Sequence, residues 1–177
     1  MSDEKLINAI KDGDEKALDK VITRYSKLLW KIVSDILPNH DDRDIEECVA
    51  DCFIYLWKNP DKYDAGKSSL KHWLSVVAKS RGLNKLKEFS KHNNLPLDEN
   101  ILADNVEIDG KILDKETVQI IFAAVKCMEE PDREIFIRRY YYEEKISVIA
   151  ASLGLSEKSV ESRLYRTRIY LRKLIAV

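Results

Sequence analysis

Apolar residues in this chain return every three or four positions, the spacing that lays them along one face of a helix. Asp14 can cap a helix running to about Leu37, with Leu18, Val21, Tyr25, Leu28, Leu29, Ile32 and Ile36 as its stripe, and Pro38-Asn39-His40 ends it. A second helix from Asp42 to Lys58 turns Ile45, Cys48, Val49, Cys52 and Leu56 inward. Asn59-Pro60 stops it, and the turn formers of Asp61 to Ser69 (DKYDAGKSS) make a loop. Ser69 then caps a third helix that packs Leu70, Trp73, Leu74 and Val77, with Gly82 a weak point further on. Between Lys91 and Asp114 the period is lost to His92-Asn93-Asn94, Pro96 and Gly110. It resumes near Lys115 with Val118, Ile121, Phe122 and Val125, turns at Glu129-Glu130-Pro131, and continues from Asp132 to Tyr142 through Ile135, Phe136 and Tyr140.

A short apolar helix (Ile146, Ile149, Ala150, Leu153) then meets Gly154, a residue able to take positive φ and end a helix sharply, and Ser156 opens another. On a helical wheel Val160, Leu164, Thr167, Leu171 and Leu174 share one face of this last helix, with Lys158, Ser162, Tyr165 and Ile169 opposite. The pattern predicts an all-α protein of two small helical domains, residues 1–92 and 115–177, joined by an acidic linker over 93–114. The second contains a helix-turn-helix.

Composition supports helices: 45% of residues are hydrophobic and 34% charged, with only 5 Gly and 4 Pro in 177. No apolar run approaches membrane-spanning length, and the acidic start MSDEKLINAIKDGDE has no signal-peptide core, so a cytoplasmic location is expected. The three cysteines do not make a disulfide framework. Cys48 and Cys52 with His40 nearby lack a fourth zinc ligand and lie on an apolar face, so they read as buried thiols. No cofactor or metal is expected.

Charge changes the picture more. The net of −1 hides blocks: −5 over Asp41 to Asp51, +6 over Lys67 to Lys91, −5 over Asp98 to Glu116, and +4 over Ser156 to Lys173. Two basic surfaces separated by acidic ones point to a polyanion touched at two places and something basic bound elsewhere. The last helix, with its cations and exposed polar face, suits the major groove of duplex DNA. Asp44, Glu47, Asp51 and Ile54, bordered by Tyr55 and Trp57, combine acidity with an apolar residue and aromatics as a docking surface does. The basic half of the third helix (Lys79, Ser80, Arg81, Asn84, Lys85, Lys87) beside a loop carrying Tyr63 and Lys67 suits a single strand, where cations follow the backbone and rings or pockets hold unstacked bases. An enzyme is not expected. Glu46, Glu47 and Asp51 could be imagined on Mg²⁺, but Glu46 points away from the other two and no second acidic helix is obvious.

Four motifs in order resemble the extracytoplasmic-function (ECF) class of bacterial RNA polymerase sigma factors. They are Asp42 to Val49 leading into Phe53-Ile54-Tyr55-Leu56-Trp57; Ser69-Leu70-Lys71-His72-Trp73-Leu74 with the basic helix to Lys87; Pro131, Arg133, Phe136, Arg139 and Tyr140; and Ile149 to Ser156 with Val160 to Arg166. The resemblance covers Ala17 to Leu174 and implies an alternative sigma factor that binds core polymerase and directs promoter-specific initiation. It implies that Asp44, Glu47, Asp51, Ile54 and Tyr55 dock on the β′ coiled coil of the polymerase. Tyr63, Lys67, Ser80, Asn84 and Lys85 would face the melted −10 element, and the linker would lie along the path of nascent RNA. Lys158, Glu161, Ser162, Arg163, Tyr165 and Arg166 would read the −35 duplex, near a contact with the polymerase β flap. An anti-sigma factor is a further implied partner.

This chain departs from the family pattern at Glu161, where Lys or Arg is common, and at Ser80, where Asn is frequent. Glu143-Glu144-Lys145 replaces the usual Gly-Leu-Ser entry to the helix-turn-helix, and Ser147-Val148 the acids that often start its first helix. The competing reading is a stand-alone helix-turn-helix regulator, which leaves the acidic helix without a task.

Overall fold

A computed structural model describes residues 2–93, 97, 98, 106 and 113–176. Among these residues there are eight α-helices, one short 3-10 turn and no strand. None of the helices is long and apolar enough to cross a membrane. The all-α expectation holds. Most of the 93–114 linker, with its expected position on the RNA path, lies outside the described residues.

The chain forms two compact units, Met1–Lys85 and Leu86–Val177. The division falls inside a helix rather than at residue 92, because Leu86 is already buried and its carbonyl accepts from the Cys127 thiol at 3.7 Å.

The first unit opens with α1 (Asp3–Lys11), a helix absent from the sequence expectation. Ser2 caps it, and it buries Leu6, Ile7 and Ile10. Signals for it were present: a Ser at the start, apolar residues at 6, 7 and 10, and Gly13 at φ +81° to turn the chain. Helix α2 (Glu15–Ile36) begins at Asp14, whose carboxylate accepts from the Lys16 amide at 2.9 Å. Its buried stripe is Ala17, Val21, Tyr25, Leu29, Val33 and Ile36, so Leu18, Leu28 and Ile32 lie at the edge instead of the centre. Helix α3 (Asp42–Lys58) has the bounds expected of it and buries all five predicted residues together with Phe53.

After a 3-10 turn (Pro60–Lys62), Ser69 caps α4 (Leu70–Ser90), its Oγ accepting from the His72 amide at 3.2 Å. The helix runs through Gly82 without a break. A Cβ at Gly82 would stand 2.9 Å from Ile36 Cδ1, so glycine here permits the close approach of α4 to the end of α2.

The second unit contains α5 (Lys115–Cys127), α6 (Asp132–Tyr140), α7 (Ile146–Leu153) and α8 (Glu157–Ile175). Gly154 adopts the left-handed conformation (φ 66°) that closes α7, and Ser156 Oγ accepts from the Ser159 amide to open α8. Val160, Leu164, Thr167, Leu171 and Leu174 are all buried, as their shared face requires. Ile135, Ile149, Ala150, Val160 and Leu164 form one apolar cluster. Small Ala150 within it allows α7 and α8 to cross closely. Ile169 is half-buried, not fully outward.

The entry to the helix-turn-helix uses charged residues where small ones would be easier. Glu143 takes a left-handed φ of 53°. Glu144 Oε2 accepts from Arg138 Nη2 at 2.6 Å and Nε at 2.9 Å, and the Glu144 carbonyl accepts from Arg139 at 2.9 Å. These arginine bonds hold the turn in place of an unstrained glycine.

Candidate functional site

Asp44, Glu47, Asp51 and Ile54 recur at helical spacing on α3, so one face carries all four. Asp51 and Glu47 are exposed, and Ile54 keeps 47% of its surface in solvent. Lys85 comes across from α4, its Nζ 3.1 Å from Glu47 Oε2 and 4.0 Å from Asp44 Oδ1. Its side chain is only 17% exposed. Lys85, expected to face the opened strand, is thus held in an ion pair within the protein. The three-residue pitch between 44 and 47 places both carboxylates under the ammonium, which is already paired within the protein. Glu47 and Asp44 are correspondingly part-neutralised, and Asp51 stands outside the cluster.

Tyr55 lies half-buried, stacked on Trp73 with ring centres 5.9 Å apart and planes 14° from parallel. The Arg81 guanidinium lies over the same ring, 5.3 Å from its centre. Beside the acidic row, α2 and α3 enclose an apolar groove of about 540 Å³ whose lining includes Leu18, Ile22, Trp30, Phe53, Ile54 and Trp57. Ile54 thus belongs to both the row and the groove. Sequence reading gave Trp57 only a bordering role and Trp30 none, although both lie where the two apolar stripes meet.

The loop after α3 is closed on itself. The Asp64 carbonyl accepts from the amides of Lys67 (3.1 Å) and Ser68 (3.3 Å), and its carboxylate from the Gly66 amide at 2.8 Å. Tyr63 fills the interior, 6% exposed, with its hydroxyl donating to the Ser68 carbonyl at 3.0 Å and its ring edge-on to Trp73 at 6.0 Å. Burial raises its phenol pKa, and the nearby Asp3 carboxylate adds to the shift. The expectation that Tyr63 offers a ring face to a base is corrected: a closed turn needs an interior residue, and this is its one aromatic. Lys67, Ser80 and Asn84 are exposed, as a strand-facing surface requires.

On α8, Lys158, Glu161, Ser162, Tyr165 and Arg166 are exposed, Tyr165 to 58%. Arg163 is not part of that row. Its Nη1 donates to Asp132 of α6 at 2.8 Å, so its place among the groove-reading residues is corrected. Position 163 is three residues from buried Val160 and four from buried Thr167, on the seam between the core and solvent faces.

A family model described as Sigma-70 region 2 matches residues 21–90, and one described as Sigma-70, region 4 matches residues 119–171, together more than half of the chain. The chain belongs to the sigma-70 family, in its ECF class. This sigma factor is 25% identical over 178 residues to the ECF RNA polymerase sigma-E factor of Escherichia coli K12, covering 95% of this chain and 91% of that one. It is 24% identical over 182 residues to RNA polymerase sigma factor NccH of Alcaligenes xylosoxydans xylosoxydans, with coverage of 98% and 94%. Among solved structures it is similar to that of CnrH in complex with the cytosolic domain of CnrY, at 19% identity, a TM-score of 0.43 and coverage of 98% and 96%. The region 2 match contains the acidic row, the closed loop and α4; the region 4 match contains the helix-turn-helix.

Proposed function

We propose that this alternative sigma factor divides its work among three faces. The acidic row of α3, with Asp51 and Ile54 at its free end and Tyr55 at its border, docks on the β′ coiled coil of core polymerase. The 63–69 loop and the exposed part of α4, with Lys67, Ser80 and Asn84, meet the melted −10 element. Lys85 joins them once its hold on Glu47 and Asp44 is exchanged for phosphate. Lys158, Glu161, Ser162 and Tyr165 read the −35 duplex while Arg166 holds its phosphates, close to a contact with the β flap. An anti-sigma protein covering one or more of these faces completes the set of partners.

The observation that carries this reading is Ile54, 47% exposed at the end of an exposed acidic row and at the mouth of an apolar groove. A large aliphatic side chain in that setting is what a protein partner with basic residues would cover. Chemistry supports the split between the two DNA faces. Duplex offers a fixed pattern of donors and acceptors in the major groove, whereas an opened strand must be caught by pockets and cations. Opening costs roughly 1.4 kcal/mol per base-pair step, which captured bases help to offset.

Run-off transcription with core polymerase over a promoter library tests class and motif together. The expected result is a bipartite motif enriched among the transcripts, above what core polymerase makes alone. Specific duplex binding with no transcript above that background would assign the chain to the stand-alone regulators instead.

A further inference from the structure

A carboxylate from the start of α1 reaches the first residue of α4. Asp3, at the first position of α1, accepts from the Leu70 amide through Oδ2 at 3.3 Å. Its Oδ1 accepts from the Tyr25 hydroxyl at 3.4 Å and from Arg24 Nη1 at 3.3 Å. Three chain segments therefore meet at a single side chain: α1, α2 and the start of α4. Leu70 is the first residue of α4, and its amide has no partner one turn back in the helix. A negative charge there also suits the positive end of the helix dipole. Ser69 serves the His72 amide at the same terminus, so Asp3 and Ser69 together define where loop ends and helix begins.

Apolar burial attaches α1 through Leu6, Ile7 and Ile10, with Lys11 adding a surface pair to Asp61 at 3.0 Å. None of those contacts requires a carboxylate at position 3. What Asp3 adds is direction: it fixes the register of the residues just after the closed turn of Tyr63 to Ser68, whose phenol is near enough to sense its charge.

We infer that Asp3 is a positioning residue for recognition of the opened −10 strand, setting from α1 the point at which the 63–69 loop becomes α4. The inference rests on the reading that this loop and α4 meet that strand. Asp3 touches no DNA in this scheme; it acts through Leu70 and the loop.

The test uses full-length protein with core polymerase and two DNA probes bearing a single-stranded −10 segment, one matched to the selected motif and one scrambled. For Asp3→Ala the matched-over-scrambled affinity ratio should fall about five- to tenfold, the equivalent of one lost helix cap. Scrambled-strand binding with its salt slope, −35 duplex binding and polymerase capture should stay within about twofold of wild type. Tyr25→Phe, which removes only one donor to Asp3, should lower the ratio in the same direction by about twofold. Lys11→Ala, which removes a surface pair of the same helix, should leave it unchanged. An unchanged ratio in Asp3→Ala overturns the inference, as does an equal loss on every probe and on polymerase capture, which would mark a merely structural role. If wild type itself shows no strand preference, the −10 reading falls and takes the inference with it. A wild-type preference that Asp3→Ala retains overturns the inference alone.

Discussion

The two faces proposed to meet nucleic acid are built differently. On α8 the row of Lys158, Glu161, Ser162 and Tyr165 stands in solvent, and the neighbouring Arg163, paired with Asp132, is withdrawn from it. In the first unit Lys67, Ser80 and Asn84 are exposed too, but other side chains of the same loop and helix are tied down within the protein: Lys85 by Glu47 and Asp44, and Tyr63 by Ser68 and Trp73. The difference suits the two proposed targets. A duplex brings its own rigid pattern, so a row of free side chains on a fixed helix can match it. An opened strand brings none, so the protein must supply the order, and groups that would otherwise wander are tied down beforehand.

The comparison breaks first at the proposed polymerase face. Asp51→Arg puts a cation where a basic partner would dock, and capture of core polymerase should fall on the order of a hundredfold. The melting temperature should hardly move, since Asp51 is exposed and in no ion pair among the described residues. Pull-down and thermal melting together check this; normal capture would remove α3 from the docking surface.

Next in size is the free row. Glu161→Lys should change base preference at one duplex position by about 1–3 kcal/mol, read by selection on randomised duplexes. An unaltered motif would show that Glu161 does not face a base. Arg166→Ala should leave the motif intact and reduce the salt slope by about 1.

Lys85 tests the tied face. Lys85→Met should weaken binding to a single-stranded −10 probe about threefold. Because it also frees Glu47 and Asp44, polymerase capture should strengthen by up to a similar factor, the scale of a partly exposed ion pair. Capture titrated against core polymerase decides it. Loss of strand binding with no gain in capture would mean that the two faces are not linked through this ammonium.

The smallest effect lies outside both faces. Glu143→Gly relieves a left-handed φ and should stabilise the second unit by about 0.5–1 kcal/mol without altering either DNA preference. Thermal unfolding measures it. A loss of stability would show that the Glu143 side chain contributes more than its backbone costs.

Local pattern was enough for much of this. The bounds of α3, the Gly154 turn, the Ser156 cap and the buried face of α8 depend on residues within a few turns of one another, and each was readable from spacing and capping chemistry. Helix α1 was missed although its signals were there, because nine residues at an acidic start weigh little beside the long stripes that follow. In α2 the centre of the stripe shifted to Val33, since several adjacent apolar residues satisfy the same helical spacing and only the neighbouring helices choose among them.

By itself, then, the sequence determined which segments are helical, which faces are apolar and where charge accumulates, because periodicity and capping act over one or two turns. The tertiary structure alone decided which charged and aromatic side chains remain available. Lys85 and Glu47 are 38 residues apart, Arg163 and Asp132 are 31, and Leu70 and Asp3 are 67. Pairing over such separations is set by how helices cross, and helix crossing depends on packing that no local spacing encodes.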